Sequence, residues 1–191
     1  MSPPPPRSAA TRVSFVLRPD AQARTALARL AREVANDALG RVSADVEWGV
    51  ALASVDGVGE PHWPALRDAG ERAAAAVSPF ALTLERVGGS SYRTAWFAPD
   101  GMPASLRALH DAVVDALRGA GLDAEPRMFR PHVVLARECA RRAHVGGVAS
   151  IAWRVERLSL AASGPELRGG GFRELGGWPL ARTPRQGTAT V

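Results

Sequence analysis

The stretch Phe129–Arg137, FRPHVVLAR, sets a histidine at the mouth of an apolar run with an arginine on either side. Pro131 holds the entry extended, because proline fixes its own φ and biases the residue before it away from helix. From His132 onward the alternation predicts a strand, with His132, Val134 and Ala136 on one face and Val133 and Leu135 on the other. Arg127, Arg130, Arg137, Arg141 and Arg142 make the neighbourhood cationic. On pattern alone, His132 is either a buried structural histidine or a site residue beside an anion.

Working outward, Pro103 to Leu122 reads as an amphipathic helix with Leu106, Leu109, Val113, Val114 and Leu117 on one stripe, closed by Gly119 and Gly121. Before it, Phe80–Val87 and Tyr92–Ala98 flank Gly88-Gly89 as a hairpin. At the start of the chain, Thr11–Arg18 alternates Val13, Phe15 and Leu17 against smaller or charged residues and predicts a first strand. A helix then runs from Pro19-Asp20 to Leu39 and ends at Gly40. Val46–Val55 predicts a second strand and Pro61–Val77 an alanine-rich helix. Ile151–Ala162 and Phe172–Leu180 complete the strands. Two hairpin-like joins among interspersed helices predict an α+β fold with mixed or antiparallel pairing. A long helix followed by an apolar strand occurs twice, before Trp48 and before His132. That echo predicts two lobes, each giving one strand to a common cleft.

The 191 residues and 46% apolar content suffice for one substantial domain, expected over residues 11–182. The proline-rich segment 1–10 and the small, polar segment 183–191 are expected to be flexible tails. No apolar stretch approaches the roughly 18–20 residues that span a bilayer, and four prolines occupy the place of a signal peptide's apolar segment. Cys139 is the only cysteine, which excludes an intrachain disulfide and a cysteine-rich zinc site and fits a reducing cytoplasm. The net charge is +5 and every basic residue apart from histidine is arginine. Arginine forks suit phosphate and stack on bases, so an acidic partner is permitted.

Several common sites are absent. There is no lysine for a phosphate-binding Walker loop, no Gly-x-Gly-x-x-Gly after a strand, no His-Glu-x-x-His and no Gly-x-Ser-x-Gly. Gly169-Gly170-Gly171 reads as a turn, and Ser90-Ser91 follow the hairpin glycines. Of the other histidines, His62 reads as a helix-start cap, His110 as a residue beside an apolar helix face, and His144 as solvated.

FRPHVVLAR resembles the second motif of the two-histidine phosphoesterases, and specifically of the RNA 2′,3′-cyclic phosphodiesterase (2′-5′ RNA ligase-like) family. RVSFVLRPD resembles that family's first strand, and LTLERVGG with TAWFAPDG its central hairpin. LRALHDAVVDALRGAGL resembles the helix before the second motif, and WRVERLSLAASG with WPL the closing strands. The resemblance covers about residues 11–182. It implies a bilobal α+β fold in which two sheets face a central cleft, with helices outside, and each lobe contributes a His-x-[Thr/Ser]-x motif. Opening a 2′,3′-cyclic phosphate needs a base for water and an acid for the departing ribose oxygen, which two imidazoles supply near neutral pH. Hydroxyls hold the phosphate oxygens and an arginine offsets their growing charge; no metal or other cofactor is implied.

Carried onto this chain, the resemblance implies a catalytic role for His132 and a phosphate contact for Arg137; in a binding module, Arg130 is expected to join them in holding a phosphate or nucleotide. The resemblance also implies a stacking role for Phe15, whose alternative is a core residue. An ideal strand puts His132 and Arg137 on opposite faces, so a twist or strand end is needed to bring Arg137 round. In the first motif, Trp48 is aligned with the histidine and Val50 with the threonine; in the second, Val134 replaces the hydroxyl residue. Tryptophan cannot shuttle a proton and valine cannot donate to phosphate, so ordinary two-histidine turnover is expected to be impaired. The expected partner is an RNA end or nucleotide with a 2′,3′-cyclic or 2′-phosphate, bound by a monomer, with Trp48 as a stacking floor. The alternative is an inactive interaction or structural protein whose cleft Trp48 fills.

Overall fold

The alternation of Val13, Phe15 and Leu17 makes β1 (Arg12–Leu17) a strand with one wholly apolar face. This computed structural model describes residues 12–44, 48–90, 93–125, 128–163 and 172–181. The expected tails, Val46 and Glu47, Ser91, Tyr92, Arg127 and the Gly169–Gly171 turn lie outside the described residues. After β1, the Asp20 carboxylate accepts a 2.8 Å hydrogen bond from the Ala23 amide and starts α1 (Ala21–Ala38). Leu39 ends it in the left-handed region at φ 51°. The chain continues through β2 (Arg41–Val42), β3 (Val50–Val55), a 3-10 turn at Glu60–His62 and α2 (Trp63–Ala75). Then come β4 (Phe80–Leu84), β5 (Arg86–Ser90), β6 (Thr94–Ala98), α3 (Ala104–Gly119) and β7 (Val133–Arg137). β8 (Ile151–Val155), β9 (Arg157–Ser163) and β10 (Phe172–Pro179) close the described fold.

The fold is α+β, and every described pairing is antiparallel. One sheet has the order β10-β9-β1-β3, the second β2-β7-β6-β5, and β4 pairs with β8 alone. The helices are interleaved between the lobes. α1 leaves β1 of the first sheet, packs on β7 and β8, and returns to β3 of the first sheet. α3 leaves β6 of the second sheet, packs on β3 and α2, and returns to β7. Each lobe's crossover helix therefore covers the other lobe, which commits both halves to one core.

Leu17, Val50, Leu66, Leu109 and Leu160 are each no more than 1% exposed in the first lobe, as are Leu27, Phe97, Val133 and Leu135 in the second. Trp178 fixes which face of the first sheet meets a helix. A Cβ on Gly70 of α2 would lie 2.4 Å from its ring, so only glycine lets α2 come that close. Phe15 packs on the same side, its ring centroid 6.2 Å from that of Trp178. The opposite face carries Ser14, Val16, Ala51, Ser54, Ser159 and Ala161. The two sheet faces turned away from the helices are the walls of the central cleft.

Pairing redraws three sequence boundaries. Glu85 breaks the expected strand Phe80–Val87 into β4 and β5, and Glu156 splits Ile151–Ala162 into β8 and β9. β2, only Arg41–Val42, exists because it pairs with Arg137 and Ala136.

Candidate active site

His132 stands just before β7 and is exposed, so the reading of a buried structural histidine does not hold. Its Nδ1 lies 2.7 Å from the carbonyl oxygen of Arg130. A carbonyl only accepts, so Nδ1 carries the proton and donates, leaving the lone pair of the neutral ring on Nε2. The ring leans against Trp96 of β6, centroids 6.1 Å apart at 54°. Trp96 in turn lies across Gly88 of β5, where an added Cβ would come within 2.1 Å of the indole. Gly88 thus supplies the shelf on which the half-buried Trp96 rests.

A bulge answers the question of Arg137. Val134 pairs with Trp96, but Ala136 pairs with Ala95, so Leu135 is the extra residue on β7. Leu135 and Ala136 are both buried, as expected where two residues oppose one. Beyond the bulge, Arg137 pairs with Thr94. Thr94 shares its face with Trp96, which shares its face with Val134 and His132. His132, Val134, Trp96, Thr94 and Arg137 therefore occupy one face. Five residue steps, one of them taken up by the bulge, put the backbones of His132 and Arg137 about 13–16 Å apart along the strand, at roughly 3.3 Å per residue.

The first lobe contains the same device. Phe15 pairs with Ala53 and Val16 with Ala51, so Leu52 is the extra residue on β3. Counting back from each bulge, Leu52 corresponds to Leu135, Ala51 to Val134 and Gly49 to His132. Val50 pairs with Leu17 on the helix-covered face, whereas Ala51 pairs with Val16 on the cleft face and is exposed. Trp48 is 4% exposed, within the core cluster that contains Val50. The phase expected for β3 is thus corrected by one residue. Gly49 and Ala51 stand at the cleft wall, because the bulky residues of the WGVAL run turn toward the helices. The indole N–H groups of Trp48 and Trp153 are buried without a partner among the described residues.

Phe15 is 1% exposed on the helix side beside Trp178, which leaves no ring face for a base. Arg130 is exposed, with its guanidinium 3.9 Å from the Met128 sulfur. His110 links the two halves of the site. Its ring stacks on Phe129 at 4.1 Å and 4°, and its Nδ1 donates to the carbonyl of Leu52, the bulge residue of β3, at 3.0 Å. One side chain on α3 thereby ties the approach to His132 to the strand carrying Gly49 and Ala51. His62 accepts from the Gly59 amide at 3.2 Å, a cap, and exposed His144 donates to the Arg142 carbonyl at 2.9 Å.

Sequence reading missed Trp96, Thr94, His110 and Gly49. The signal for Trp96 was the hairpin itself, since glycines facing an aromatic strand leave room for a flat ring. At the far end of the same face, a recess of about 440 Å³ is lined by Arg93, Thr94, Arg137, Glu138 and Cys139. Among the described residues, no group of three or more His, Cys, Asp and Glu is arranged to hold a metal ion. No described helix is long and apolar enough to cross a membrane.

The sequence pattern of the 2′-5′ RNA ligase superfamily matches residues 52–164. No curated protein sequence matches the chain. Among solved structures, E. coli LigT complexed with 3′-AMP is similar at a TM-score of 0.78 and 22% identity, covering 91% of this chain and 99% of LigT. A Thermus thermophilus protein is similar at 0.69 and 18% identity, with 88% and 97% covered. The ns2 PDE domain of MHV is similar at 0.59 and 16% identity, with 80% and 99% covered. LigT has also been crystallised with NADP+, with ATP and with phosphate.

Proposed function

The chain belongs to the 2′-5′ RNA ligase superfamily, and from that premise we propose that its cleft binds RNA or nucleotide ends carrying a 2′,3′-cyclic or 2′-phosphate, with weak turnover. The observation that carries this reading is the unequal equipment of the two bulged strands. β7 presents His132, its tautomer set by the Arg130 carbonyl, beside the flat ring of Trp96. β3 presents Gly49 and Ala51 at the corresponding positions.

Hydrolysis of a cyclic phosphate forms a bond from water oxygen to phosphorus and breaks one from phosphorus to a ribose oxygen on the opposite side. The water loses a proton and the ribose oxygen gains one. His132 can take the water's proton through Nε2 or, as imidazolium, give one to the leaving oxygen, but it does not do both on opposite sides of phosphorus. Losing one positioned acid or base costs about 10²–10⁴-fold. The missing hydroxyls at Ala51 and Val134 remove two further donors from the phosphate oxygens. Binding suffers less, because His132, Arg130 and Arg137 can contribute charge-assisted hydrogen bonds and Trp96 offers a surface for a base. Trp96 takes the stacking role first expected of Phe15 and Trp48.

Calorimetric titration with a 2′,3′-cyclic mononucleotide and with a 2′-phosphorylated one tests the reading. Measurable binding that falls about tenfold in His132→Ala supports it. Failure of the wild-type protein to bind either ligand overturns it.

A further inference from the structure

We infer that a recess on the back of the first lobe, between α2 and the β10 edge of the first sheet, binds a nucleotide through its phosphate. The site is separate from the cleft and does not depend on what the cleft binds. Strand pairing fixes the face on which it lies. Arg173 of β10 pairs with Ala162 of β9, which pairs with Val13 of β1, and both partners are buried on the helix-covered side. Phe15, Leu158, Leu160 and Trp178 share that side, so Arg173 places a charge on a face otherwise built of apolar groups. From α2, Trp63 and Arg67 stand one turn apart on the same side of the helix. With Arg173, Leu160 and Leu175 they line a recess of about 120 Å³. The β10 bulge shapes it: Leu175 is the extra residue, and Leu160 is paired with Gly176, which adds no side chain to fill the space.

The charges in the recess lack a counterpart. Arg67 and Arg173 are both exposed, and neither forms an ion pair or hydrogen bond among the described residues. Glu174, next to Arg173, points to the cleft face. There its carboxylate accepts from the Arg157 guanidinium at 3.4 Å and the Ser159 hydroxyl at 3.3 Å. Two guanidinium groups on one opening repel each other until an anion joins them, and their forks match the non-bridging oxygens of a phosphate. A recess of this size takes a phosphate group, while the sugar and base must lie outside it. The half-buried Trp63 ring stands beside the opening, where a base can stack on it. Arginines alone would accept any small anion; the indole beside them selects a nucleotide.

The experiment is an NMR titration of the nitrogen-labelled protein, followed at the indole N–H signals. Trp63→Phe and Trp96→Phe identify the signals that report on the recess and on the cleft. The ligands are adenosine 5′-monophosphate, adenosine, inorganic phosphate and a 5′-phosphorylated trinucleotide. The expected result is a saturable shift of the Trp63 signal with the monophosphate and none with adenosine. Inorganic phosphate, which cannot stack, should bind at least about fivefold more weakly. Arg67→Ala/Arg173→Ala should weaken the monophosphate at this signal by at least about tenfold, while thermal melts report that the variant is folded and the Trp96 signal responds as in wild type. A trinucleotide that matches the monophosphate supports the site as one for RNA ends; one that is excluded supports it as one for free nucleotides. A Trp63 signal that stays still with every ligand, or that moves equally in the double variant, overturns the site. Equal shifts with adenosine overturn phosphate recognition, and equal affinity for inorganic phosphate overturns the nucleotide assignment. Because the Trp96 signal reports on the cleft separately, a failure here is distinct from a failure there.

Discussion

β3 and β7 are built alike and equipped differently. Each follows a long helix that covers the other lobe, and each pairs with the strand preceding that helix. Each also carries an extra leucine, Leu52 or Leu135, that shifts the register. Three residues before the extra leucine stands His132, just ahead of β7, but Gly49, just ahead of β3. The two strands share one geometry, while at the matching positions only the β7 half carries an imidazole. Fold and chemistry are thus separable, since the bulges depend on backbone pairing and the chemistry on two outward-facing positions.

The largest expected effect separates the two faces of the first half. Trp48→Ala should cost about 3–5 kcal/mol, the range for deleting a large core aromatic, read as a fall in the urea midpoint. A loss below about 1 kcal/mol would place Trp48 at the cleft surface instead. His110→Ala comes next, at about 2–3 kcal/mol, because it removes the Phe129 stack and leaves the Leu52 carbonyl without its donor. The same variant should weaken binding of the cyclic mononucleotide as the approach to His132 loosens; unchanged stability and binding would remove His110 as the link between the halves. Gly49→Ala should cost about 1–3 kcal/mol, the range for overpacking that shifts backbone, since a Cβ there would sit 2.9 Å from the Leu17 carbonyl oxygen and the strand must yield. The smallest effect lies in the second half: Val134→Thr restores a hydroxyl on the open face and should tighten phosphate binding by about fivefold, worth one ordinary hydrogen bond.

Much of this was legible in the chain. Alternation in RVSFVL and the stripe of Leu106, Leu109, Val113 and Leu117 report burial directly, so strands and helices follow from composition and spacing. FRPHVVLAR carried the resemblance that the fold bears out. The phase of β3 was legible too. Trp48 and Val50 are bulky, whereas Gly49 and Ala51 are small, and bulky residues belong on the helix side. Matching tryptophan to histidine set that alternation aside. The bulges themselves leave no mark in a single strand's sequence, because they exist only as a mismatch of register between two strands. For the same reason the sequence could not place Arg137 beside Thr94, or reveal β2, whose Arg41 and Val42 form a strand only through their partners.

The central claim is that the cleft is equipped on one side only. The most direct measurement is single-turnover hydrolysis of a trinucleotide 2′,3′-cyclic phosphate by wild type, His132→Ala and Gly49→His/Ala51→Thr. The account predicts slow hydrolysis by wild type, a further loss in His132→Ala, and a gain of at least about tenfold when the first strand regains an imidazole and a hydroxyl. Rapid wild-type hydrolysis abolished by His132→Ala would contradict it, because a second proton-transferring group would then already be at work in the cleft.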